Sequence, residues 1–269
     1  MKYVLVTGAF GGMGKATVEL LRNEGYAVFA LDKRIEGEAS DSLIPIECDI
    51  TDEKSIAKAF SKICQITHEL QAIIHFAGIY YLDSLVEIEK ERFERIFIIN
   101  VFGPYLINKA FHPLLKKGSR IIVTTSELSK RNPLPFTGLY AVTKGALDRY
   151  CYSLAMELQL QDIHVSVIRP GAVKTDMLHT STDELDRFCE KTSIYQINAS
   201  NFRDIVNKVE AKYIAPSEVA KKVGKVLKAK RPRFSYNINR NKLLILLDIL
   251  PMRLRFKIIK NILKKEKSK

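Results

Sequence analysis

The sequence predicts an α/β fold in which helices cover both faces of a doubly wound parallel sheet. Short apolar runs rich in β-branched residues recur along residues 1–240, and segments of helical periodicity separate them. A glycine-rich turn follows the first run directly. Because strands that alternate with helices are joined by right-handed crossovers, this order places the strands in one parallel sheet. A chain of 269 residues is long enough to bury the core of such a domain.

Each predicted strand is an apolar run that ends in polar or small residues. The strands are predicted at residues 2–7, 27–31, 43–48, 72–76, 120–125, 164–168 and 234–236. The helices are predicted from 16 to 25, from 53 to about 67, from about 89 past Gly103-Pro104, from 139 to 160 and from 216 to about 229. Thr51 or Asp52 is a suitable cap for the second helix.

The composition narrows the class of protein. The four cysteines are scattered and form no CxxC pair, which argues against a disulfide framework and against a zinc site. The five histidines show no metal-binding spacing, so no metal is predicted. Unpaired cysteines are typical of a reducing compartment, and a cytoplasmic location is expected.

The net charge of +13 belongs to one end of the chain. Residues 221–269 hold 17 lysines and arginines against two acidic residues, whereas residues 1–220 hold 26 basic and 28 acidic residues. The body is therefore near neutral, and no nucleic-acid partner is predicted. Any function of the basic charge is therefore expected of the C-terminal part of the chain.

A glycine-rich turn lies between the first predicted strand and the first helix. Gly8, Gly12 and Gly14 have the spacing TGxxxGxG, which differs from the commoner GxGxxG. Such a turn brings backbone N–H groups and the helix dipole onto a phosphate group. Glycines also serve tight turns that bind nothing, but the position directly after the first strand favours phosphate binding.

Asp32 ends the second predicted strand, and two cations follow it. A carboxylate at this position accepts hydrogen bonds from an adenosine ribose and repels a 2′-phosphate, which favours NAD. Lys33 and Arg34 can instead hold that phosphate, which keeps NADP open. The alternative is that all three are solvated charges of a turn.

Tyr140 and Lys144 lie four residues apart in a predicted helix, so their side chains share one face. An ammonium group beside a phenol lowers the pKa of the tyrosine, which suits a general acid or base. The pair alone occurs by chance on many helices. Ser126 follows the fifth strand, at the edge where ligands bind in open α/β folds. Asn100 lies among apolar residues, where it either satisfies backbone groups at a kink or orders water near a site.

Several short motifs occur in the order found in one family. They are Thr7-Gly8-xxx-Gly12-x-Gly14, Asp49-Ile50, Ala77-Gly78, Asn100-Val101-x-Gly103, Ser126, Tyr140-xxx-Lys144 and Pro170-Gly171 with Thr175. By these motifs residues 2 to about 230 resemble the short-chain dehydrogenase/reductase family in its single-domain, Rossmann-type form. The chain departs from the family pattern at His75-Phe76, where two asparagines are usual. The departure removes side-chain hydrogen bonds and keeps the close backbone approach to the cofactor.

The resemblance implies a catalytic set and a cofactor site. Tyr140 would exchange a proton with the substrate oxygen, Lys144 would lower its pKa and hold the nicotinamide ribose, and Ser126 would bond the substrate oxygen. Asn100 would support a water relay. The site for NAD, with NADP as the alternative, would be formed by Thr7, Gly8, Gly12, Met13, Gly14, Asp32, Asp49, Ile50, Ala77, Gly78, Tyr140, Lys144, Pro170, Gly171, Val173 and Thr175.

Two C-terminal segments lie outside these motifs. The resemblance implies that residues 176–215 form a lid over an apolar pocket, and an ordinary pair of surface helices explains them equally well. Residues 243–250 are apolar but too short to span a bilayer. The sequence after Pro251 predicts a basic helix with an apolar face formed by Leu254, Ile258, Ile259, Ile262 and Leu263. Such a helix favours peripheral membrane contact, and packing on the body or on a partner subunit is the alternative.

The predicted organisation is a catalytic domain at 1–239 and a basic, apolar extension at 240–269. The predicted function is an NAD(P)-dependent interconversion of a hydroxyl and a ketone on a lipophilic, steroid- or lipid-like substrate, because an apolar tail of this kind resembles hydroxysteroid and retinol dehydrogenase-like members. The alternatives are a ketoreductase for small or carrier-bound carbonyl compounds and a non-catalytic sensor or scaffold. A scaffold does not need Ser126, Tyr140 and Lys144. We expect a homo-oligomer that is cytoplasmic and contacts membranes through its tail.

Overall fold

The strands form one parallel sheet in a computed structural model that describes residues 1–208 and 213–264. Seven strands of this sheet are described: β1 (Lys2–Thr7), β2 (Tyr26–Asp32), β3 (Leu43–Glu47), β4 (Leu70–His75), β5 (Leu115–Thr124), β6 (His164–Pro170) and β7 (Ser235–Ile238). Their order is β3-β2-β1-β4-β5-β6-β7. The chain therefore reverses direction across the sheet between β1 and β4, where the carboxyl ends of the strands leave a crevice. The predicted fold class is confirmed.

Helices cover both faces of the sheet. The helices of the described residues are α1 (Gly12–Asn23), α2 (Glu53–Cys64), α3 (Lys90–Phe97), α4 (Gly103–Phe111), α5 (Gly138–Leu158), α6 (Asp176–Lys191), α7 (Gln196–Lys208), α8 (Pro216–Lys228), α9 (Lys242–Ile249) and α10 (Met252–Leu263). Alternate residues of a strand face opposite sides, so Leu5 packs in one core cluster and Val4 and Val6 pack in the other. Both faces of β1 are buried, as its continuous apolar run requires.

Most element boundaries lie within a few residues of their predicted positions. Asp52 caps α2, and its Oδ1 accepts a hydrogen bond from the Lys54 amide at 3.0 Å. The largest shift is at β5, which begins at Leu115, before the turn at Gly118 that has φ of +85°. The predicted helix from about 89 does continue past Gly103-Pro104, because a π-helical segment at Ile98–Phe102 joins α3 to α4.

Residues 176–208 form two helices that pack on the loops at the carboxyl end of the sheet. Leu185 and Phe188 of α6 and Phe202 of α7 form a separate apolar cluster with Leu82, and Phe136 packs against it. Residues 209–212 of the predicted lid lie outside the described residues. The segment is therefore a helix pair with a core of its own.

The C-terminal tail forms the short helices α9 and α10. Leu263 is buried against the α6–α7 cluster and Ile259 packs beside it, whereas Leu254 and Ile262 are exposed. The face that the sequence predicts as one apolar surface of α10 is thus divided, with its inner part bound to the body. Lys265 lies outside the described residues. No helix within 1–208 or 213–264 is long and apolar enough to cross a membrane.

Candidate active site

The turn after β1 holds its glycines in places where a side chain would collide with backbone. Gly8 has φ of +66°, and a Cβ built on it would lie 2.5 Å from the Ala77 amide nitrogen. A Cβ on Gly14 would lie 2.0 Å from the Gly8 carbonyl oxygen. The start of α1 therefore packs directly on the turn, and its first N–H groups face the crevice. This cradle fits the pyrophosphate of a dinucleotide.

A cavity of about 570 Å³ opens from this turn along the carboxyl edge of the sheet. Most of the predicted cofactor residues line it: Gly8, Gly12, Met13, Gly14, Asp32, Asp49, Ile50, Ala77, Gly78 and Thr175. The other predicted residues are placed around it. Thr7 is buried beneath the turn, Pro170 ends β6, and the Val173 backbone bridges to Ile214. Gly171 is held so close to Asn239 that a Cβ there would lie 2.0 Å from the Asn239 carbonyl oxygen.

Asp32 and its neighbours lie at the adenosine end of the cavity. The Asp32 carboxylate accepts hydrogen bonds from the Phe10 amide at 3.1 Å and from the Lys33 amide at 2.8 Å. The Lys33 ammonium is paired with Asp49 at 2.7 Å. Arg34 also lines the cavity and is exposed. One of the two cations that keep NADP open is therefore already neutralised by a carboxylate.

Tyr140, Lys144 and Ser126 meet beside the cavity, but none of the three lines it. Two residues that do line it adjoin them: Tyr80 contacts Tyr140, and Gly78 lies next to Lys144. Tyr140 and Lys144 lie on the buried face of α5, and Ser126 follows β5.

The Ser126 hydroxyl is close enough to the Tyr140 phenol to act on its pKa, and Ser126 Oγ accepts from the Leu128 amide at 3.2 Å. The Lys144 ammonium lies 5.7 Å from the centroid of the Tyr140 ring and donates to the Thr124 carbonyl oxygen at 3.4 Å. The structure brings together the three side chains that the sequence predicts as a catalytic set.

The predicted lowering of the Tyr140 pKa by Lys144 is wrong for the protein alone. Burial raises the pKa of Tyr140 to about 12, although the nearby Ser126 hydroxyl opposes that shift. Burial also lowers the pKa of Lys144 to about 8. Removing both groups from water disfavours both charged forms, and Lys144 is not among the groups that shift the pKa of Tyr140.

Asn100 lies in the π-helical segment and is fully buried. Its Oδ1 accepts from the Ile79 amide at 2.8 Å, and its Nδ2 donates to the Ile79 carbonyl at 2.9 Å and to Thr143 Oγ1 at 3.2 Å. A Cβ built on Gly78 would lie 3.1 Å from Asn100 Oδ1 and 3.4 Å from Lys144 Nζ. Asn100 thus satisfies the backbone of the loop after β4, and its oxygen and the ammonium face one small space.

His75 replaces the first asparagine of the family pattern with a different hydrogen-bonded chain. Its Nδ1 lies 3.3 Å from Thr7 Oγ1, and its Nε2 lies 2.9 Å from Asn108 Oδ1. Asn108 Nδ2 donates in turn to the Tyr150 hydroxyl at 3.2 Å. Burial lowers the pKa of His75 to about 4, so the ring is neutral at physiological pH. These hydrogen bonds connect Thr7, at the start of the glycine turn, to α4 and α5.

Sequence reasoning overlooked the aromatic residues beside the catalytic group. The Tyr80 ring is tilted against the Tyr140 ring, with 4.8 Å between the ring centroids, and both Tyr80 and Tyr81 line the cavity. The guanidinium of Arg92 lies 3.6 Å from the centroid of Tyr81. The signal was their position directly after Ala77-Gly78, because residues that follow a strand at this edge face the ligand crevice.

A buried ion pair supports the segment that carries Ser126. Asp148 of α5 accepts from Arg169 Nε at 2.7 Å and from its NH2 at 3.0 Å. Ser129 Oγ also donates to Asp148, at 3.2 Å. A bidentate pair of this kind fixes both groups, so it holds β6, α5 and the residues after Ser126 in one arrangement.

The doubly wound sheet, the glycine cradle and the Ser–Tyr–Lys arrangement define an oxidoreductase of the dinucleotide-binding class. The family model for short chain dehydrogenases matches residues 2–186. The chain belongs to the short-chain dehydrogenase/reductase family, and the predicted enzyme class is confirmed.

A mouse protein shows how the chain relates to that family. The chain is 33% identical over 187 residues to estradiol 17-beta-dehydrogenase 2 of Mus musculus, and the match covers 65% of this chain and 49% of the mouse protein. The chain therefore aligns with about half of that relative's length.

Two solved structures share the fold. The 3-ketoacyl-(acyl-carrier-protein) reductase of Brucella melitensis, complexed with NADH, has a TM-score of 0.71 and 21% identity, over 88% of this chain and 96% of that one. A short chain dehydrogenase of Burkholderia cenocepacia, in complex with NADP, has a TM-score of 0.73 and 21% identity, over 99% of this chain and 100% of that one.

Proposed function

We propose that this protein interconverts a hydroxyl and a ketone on a lipophilic substrate, with a nicotinamide dinucleotide as the hydride carrier. The observation that carries the proposal is that Ser126, Tyr140 and Lys144 come together beside a cavity that begins in a glycine cradle. Tyr80 lines that cavity and contacts the Tyr140 ring. When bound, the nicotinamide ring supplies or removes the hydride. The protein has to hold the substrate oxygen and to move one proton.

In the reducing direction, Tyr140 donates its proton to the substrate oxygen as the carbonyl carbon gains the hydride. A phenol with a pKa of about 12 is protonated at neutral pH, so it is ready to act as the acid. Ser126 donates a hydrogen bond that stabilises the negative charge developing on the same oxygen. Donation of the proton leaves a phenolate on Tyr140, which the Lys144 ammonium stabilises. In the oxidising direction that phenolate takes the proton of the substrate hydroxyl as the carbon loses its hydride.

We propose NAD(H) as the preferred cofactor, held by Gly8, Gly12, Gly14 and Asp32. The support is that Asp32 faces the cavity and that Lys33 is engaged by Asp49 at 2.7 Å. The Asp32 carboxylate would repel a 2′-phosphate, and within the described part of the chain Arg34 is the one of the two neighbouring cations that no carboxylate holds. Titration calorimetry with NADH and NADPH tests this choice. Tighter binding of NADPH that disappears in Arg34→Ala would overturn it.

The substrate class is inferred from the apolar and aromatic side chains at the open end of the site. Ile79, Tyr80, Tyr81 and Met177 line the cavity there. The mouse relative is named as an estradiol dehydrogenase, which agrees with such a lining. A peripheral membrane contact of the tail belongs to the same proposal, because lipophilic substrates concentrate in membranes. The homo-oligomer and the separate status of residues 240–269 remain predictions.

The direct test is turnover with a panel of ketones and alcohols. Purified protein with NADH or NAD is followed by nicotinamide fluorescence against steroids, retinoids, long-chain ketones and short aliphatic ketones. We expect kcat/KM to rise with the apolar size of the substrate. Turnover confined to short or carrier-bound ketones would instead favour the ketoreductase, and binding without turnover of any class would favour a sensor.

A further inference from the structure

The tail has an inner side that is fixed to the catalytic end of the body. Asp248 of α9 accepts from Arg131 NH1 at 2.9 Å, and the Glu127 carboxylate accepts from the Asn241 amide at 2.9 Å. Both partners lie in the segment that directly follows Ser126. The tail is therefore joined to the residues that carry one of the catalytic hydroxyls.

The inner side of α10 is fixed to the lid helices. The carbonyl oxygen of Leu263 accepts from Asn198 Nδ2 at 2.8 Å and from Asn201 Nδ2 at 3.0 Å, both on α7. Arg255, Ile259 and Leu263 recur every four residues and form the stripe that faces the body. Arg255 also pairs with Asp248 at 3.3 Å.

The outer side of α10 is cationic. At 100° per residue, Arg253, Lys257 and Lys264 lie on the side opposite the inner stripe, and Lys260 flanks them. Leu254 and Asn261 share this side, and all of these residues are exposed. Phe256 borders this strip and is 62% exposed. On α9, Leu243 and Leu246 lie opposite Asp248 and are 55% and 60% exposed. The only acidic residue between 240 and 264 is Asp248, which is turned inward.

We propose that this outer side of α9 and α10 is a docking surface for an anionic lipid membrane. Its cations complement acidic headgroups, and its exposed leucines and phenylalanine can enter the boundary between headgroups and acyl chains. A nucleic acid would use the cations and leave the apolar side chains in water. The surface differs from the face of Leu254, Ile258, Ile259, Ile262 and Leu263 that the sequence predicts, because the inner part of that face is bound to the lid.

The position of this docking surface indicates how membrane binding would serve the enzyme. The tail contacts the segment after Ser126 and the lid over the substrate pocket, so a docked protein keeps its catalytic end near the membrane. A lipophilic substrate would then enter from the lipid phase. This use rests on the proposed function, whereas the docking itself does not depend on turnover.

Vesicle co-sedimentation of the full chain tests the docking surface. Vesicles of phosphatidylcholine alone are compared with vesicles containing 30% phosphatidylserine, at low and at physiological salt. We expect binding to the anionic vesicles only, and a decrease with salt. The variant Lys257→Glu/Lys260→Glu should bind at least about tenfold more weakly, because each cation near an anionic surface contributes roughly 1 kcal/mol. Leu246→Ser/Phe256→Ser should also weaken binding.

The matched control is Lys58→Glu/Lys62→Glu, which makes the same charge change on the exposed side of α2. It should bind vesicles like the wild type. An equal loss in this control, unchanged binding in the tail variants, or displacement by duplex DNA with no effect of the apolar variant would overturn the proposal. So would dissociation of a dimer in the tail variants, measured by sedimentation velocity, without a change in vesicle binding. Turnover of a water-soluble ketone in each variant is measured separately, so that a failed enzyme assignment is distinguishable from a failed docking surface.

Discussion

The cofactor half of the molecule and its C-terminal cover are held in place by different physical means. In the cofactor half, backbone packs on backbone, and a Cβ on Gly14 would lie 2.0 Å from the Gly8 carbonyl oxygen. In the cover, charged side chains bridge distant segments: Arg187 of α6 reaches Asp83 at 2.6 Å. The glycine turn has no room for a second arrangement. The cover is held by side chains: an apolar cluster around Phe188, and largely buried ion pairs beside it. We predict that the two regions open separately, with the cradle fixed and the cover releasable.

The largest expected effect is confined to the fixed half. Replacing Tyr140 by Phe removes the hydroxyl that we propose as the proton donor and keeps the buried ring, including its contact with Tyr80. We expect turnover to fall by roughly 10² to 10⁴, the usual contribution of a general acid, while cofactor affinity stays within about twofold. Steady-state kinetics and cofactor titration measure the two quantities.

The control for this change is Tyr152→Phe, on the exposed side of the same helix. It should leave both quantities unchanged. Near-wild-type turnover by the Tyr140 variant would remove the assignment of the acid, and a parallel loss in the control would show a general sensitivity of α5.

The division between the halves also explains what the sequence predicts. The cradle depends on glycines whose spacing follows from local backbone geometry, so Gly8, Gly12 and Gly14 are recognisable in the sequence. Tyr140 and Lys144 are recognisable because the period of the helix places them on one face. The raised pKa of Tyr140 cannot be predicted in this way, because it results from burial, and burial depends on all the residues that pack around the ring.

The cover is less predictable for the same reason. Its side chains find partners about a hundred residues away, as Arg187 does in Asp83, and no local pattern indicates such a pair. The inward turn of Ile259 and Leu263 depends on the lid cluster that receives them. A periodic pattern predicts that a helix has an apolar face, but it does not predict what covers that face.

The pH dependence of His75 sharpens the comparison in the cofactor half. Burial lowers its pKa from 6.5 to about 4. Between these two pH values the side chain of His75 is protonated in the unfolded chain but not in the native state. The stability that His75 contributes is therefore complete above pH 6.5, and about 3 kcal/mol of it is lost as the pH drops towards 4. In His75→Asn, denaturant unfolding should lose most of this slope.

The exposed His68 provides the comparison for that experiment. His68→Asn should keep the wild-type slope between pH 6.5 and 4. An unaltered slope in the His75 variant would mean that another group governs acid sensitivity in this range. The test depends on the pH slope of the unfolding free energy and not on its absolute value.

A smaller effect is expected where the lid meets the body. Glu184 of α6 accepts hydrogen bonds from Arg92 and from Arg187, and the Leu82 amide also donates to it. Glu184→Gln removes the charge and keeps the shape, at a cost of roughly 1–2 kcal/mol in lid closure. We expect KM for a large substrate to rise about five- to twentyfold with little change in kcat.

Glu190→Gln, on the exposed part of the same helix, is the matched change and should leave KM unaltered. Hydrogen exchange of α6 provides a second measurement, because a loosened lid exchanges faster without global unfolding. A fall in kcat at constant KM would show that Glu184 acts on the catalytic groups rather than on the lid.

The smallest effect concerns the link between the two lid helices. One Glu87 oxygen accepts from Thr192 Oγ1 at 2.6 Å, and the other accepts from the amides of Ser193 and Ile194 at 2.8 and 3.1 Å. Burial disfavours the carboxylate, but these hydrogen bonds outweigh it and lower the pKa of Glu87 from 4.5 to about 2. A carboxyl with a lowered native pKa stabilises its surroundings fully above 4.5, and that stability is lost as the pH falls towards 2.

Hydrogen exchange of residues 192–196, corrected for intrinsic rates, should therefore lose protection between pH 4.5 and 2.5, and Glu87→Gln should show low protection with no such slope. Glu89→Gln, two residues away and exposed, should behave like the wild type. The His75 range ends near pH 4, where the Glu87 range has barely begun. If the cradle and the cover are held independently, the two variants flatten different parts of the acid profile. If Glu87→Gln instead alters the slope between 6.5 and 4, the two regions open together and the distinction between a fixed half and a releasable cover fails.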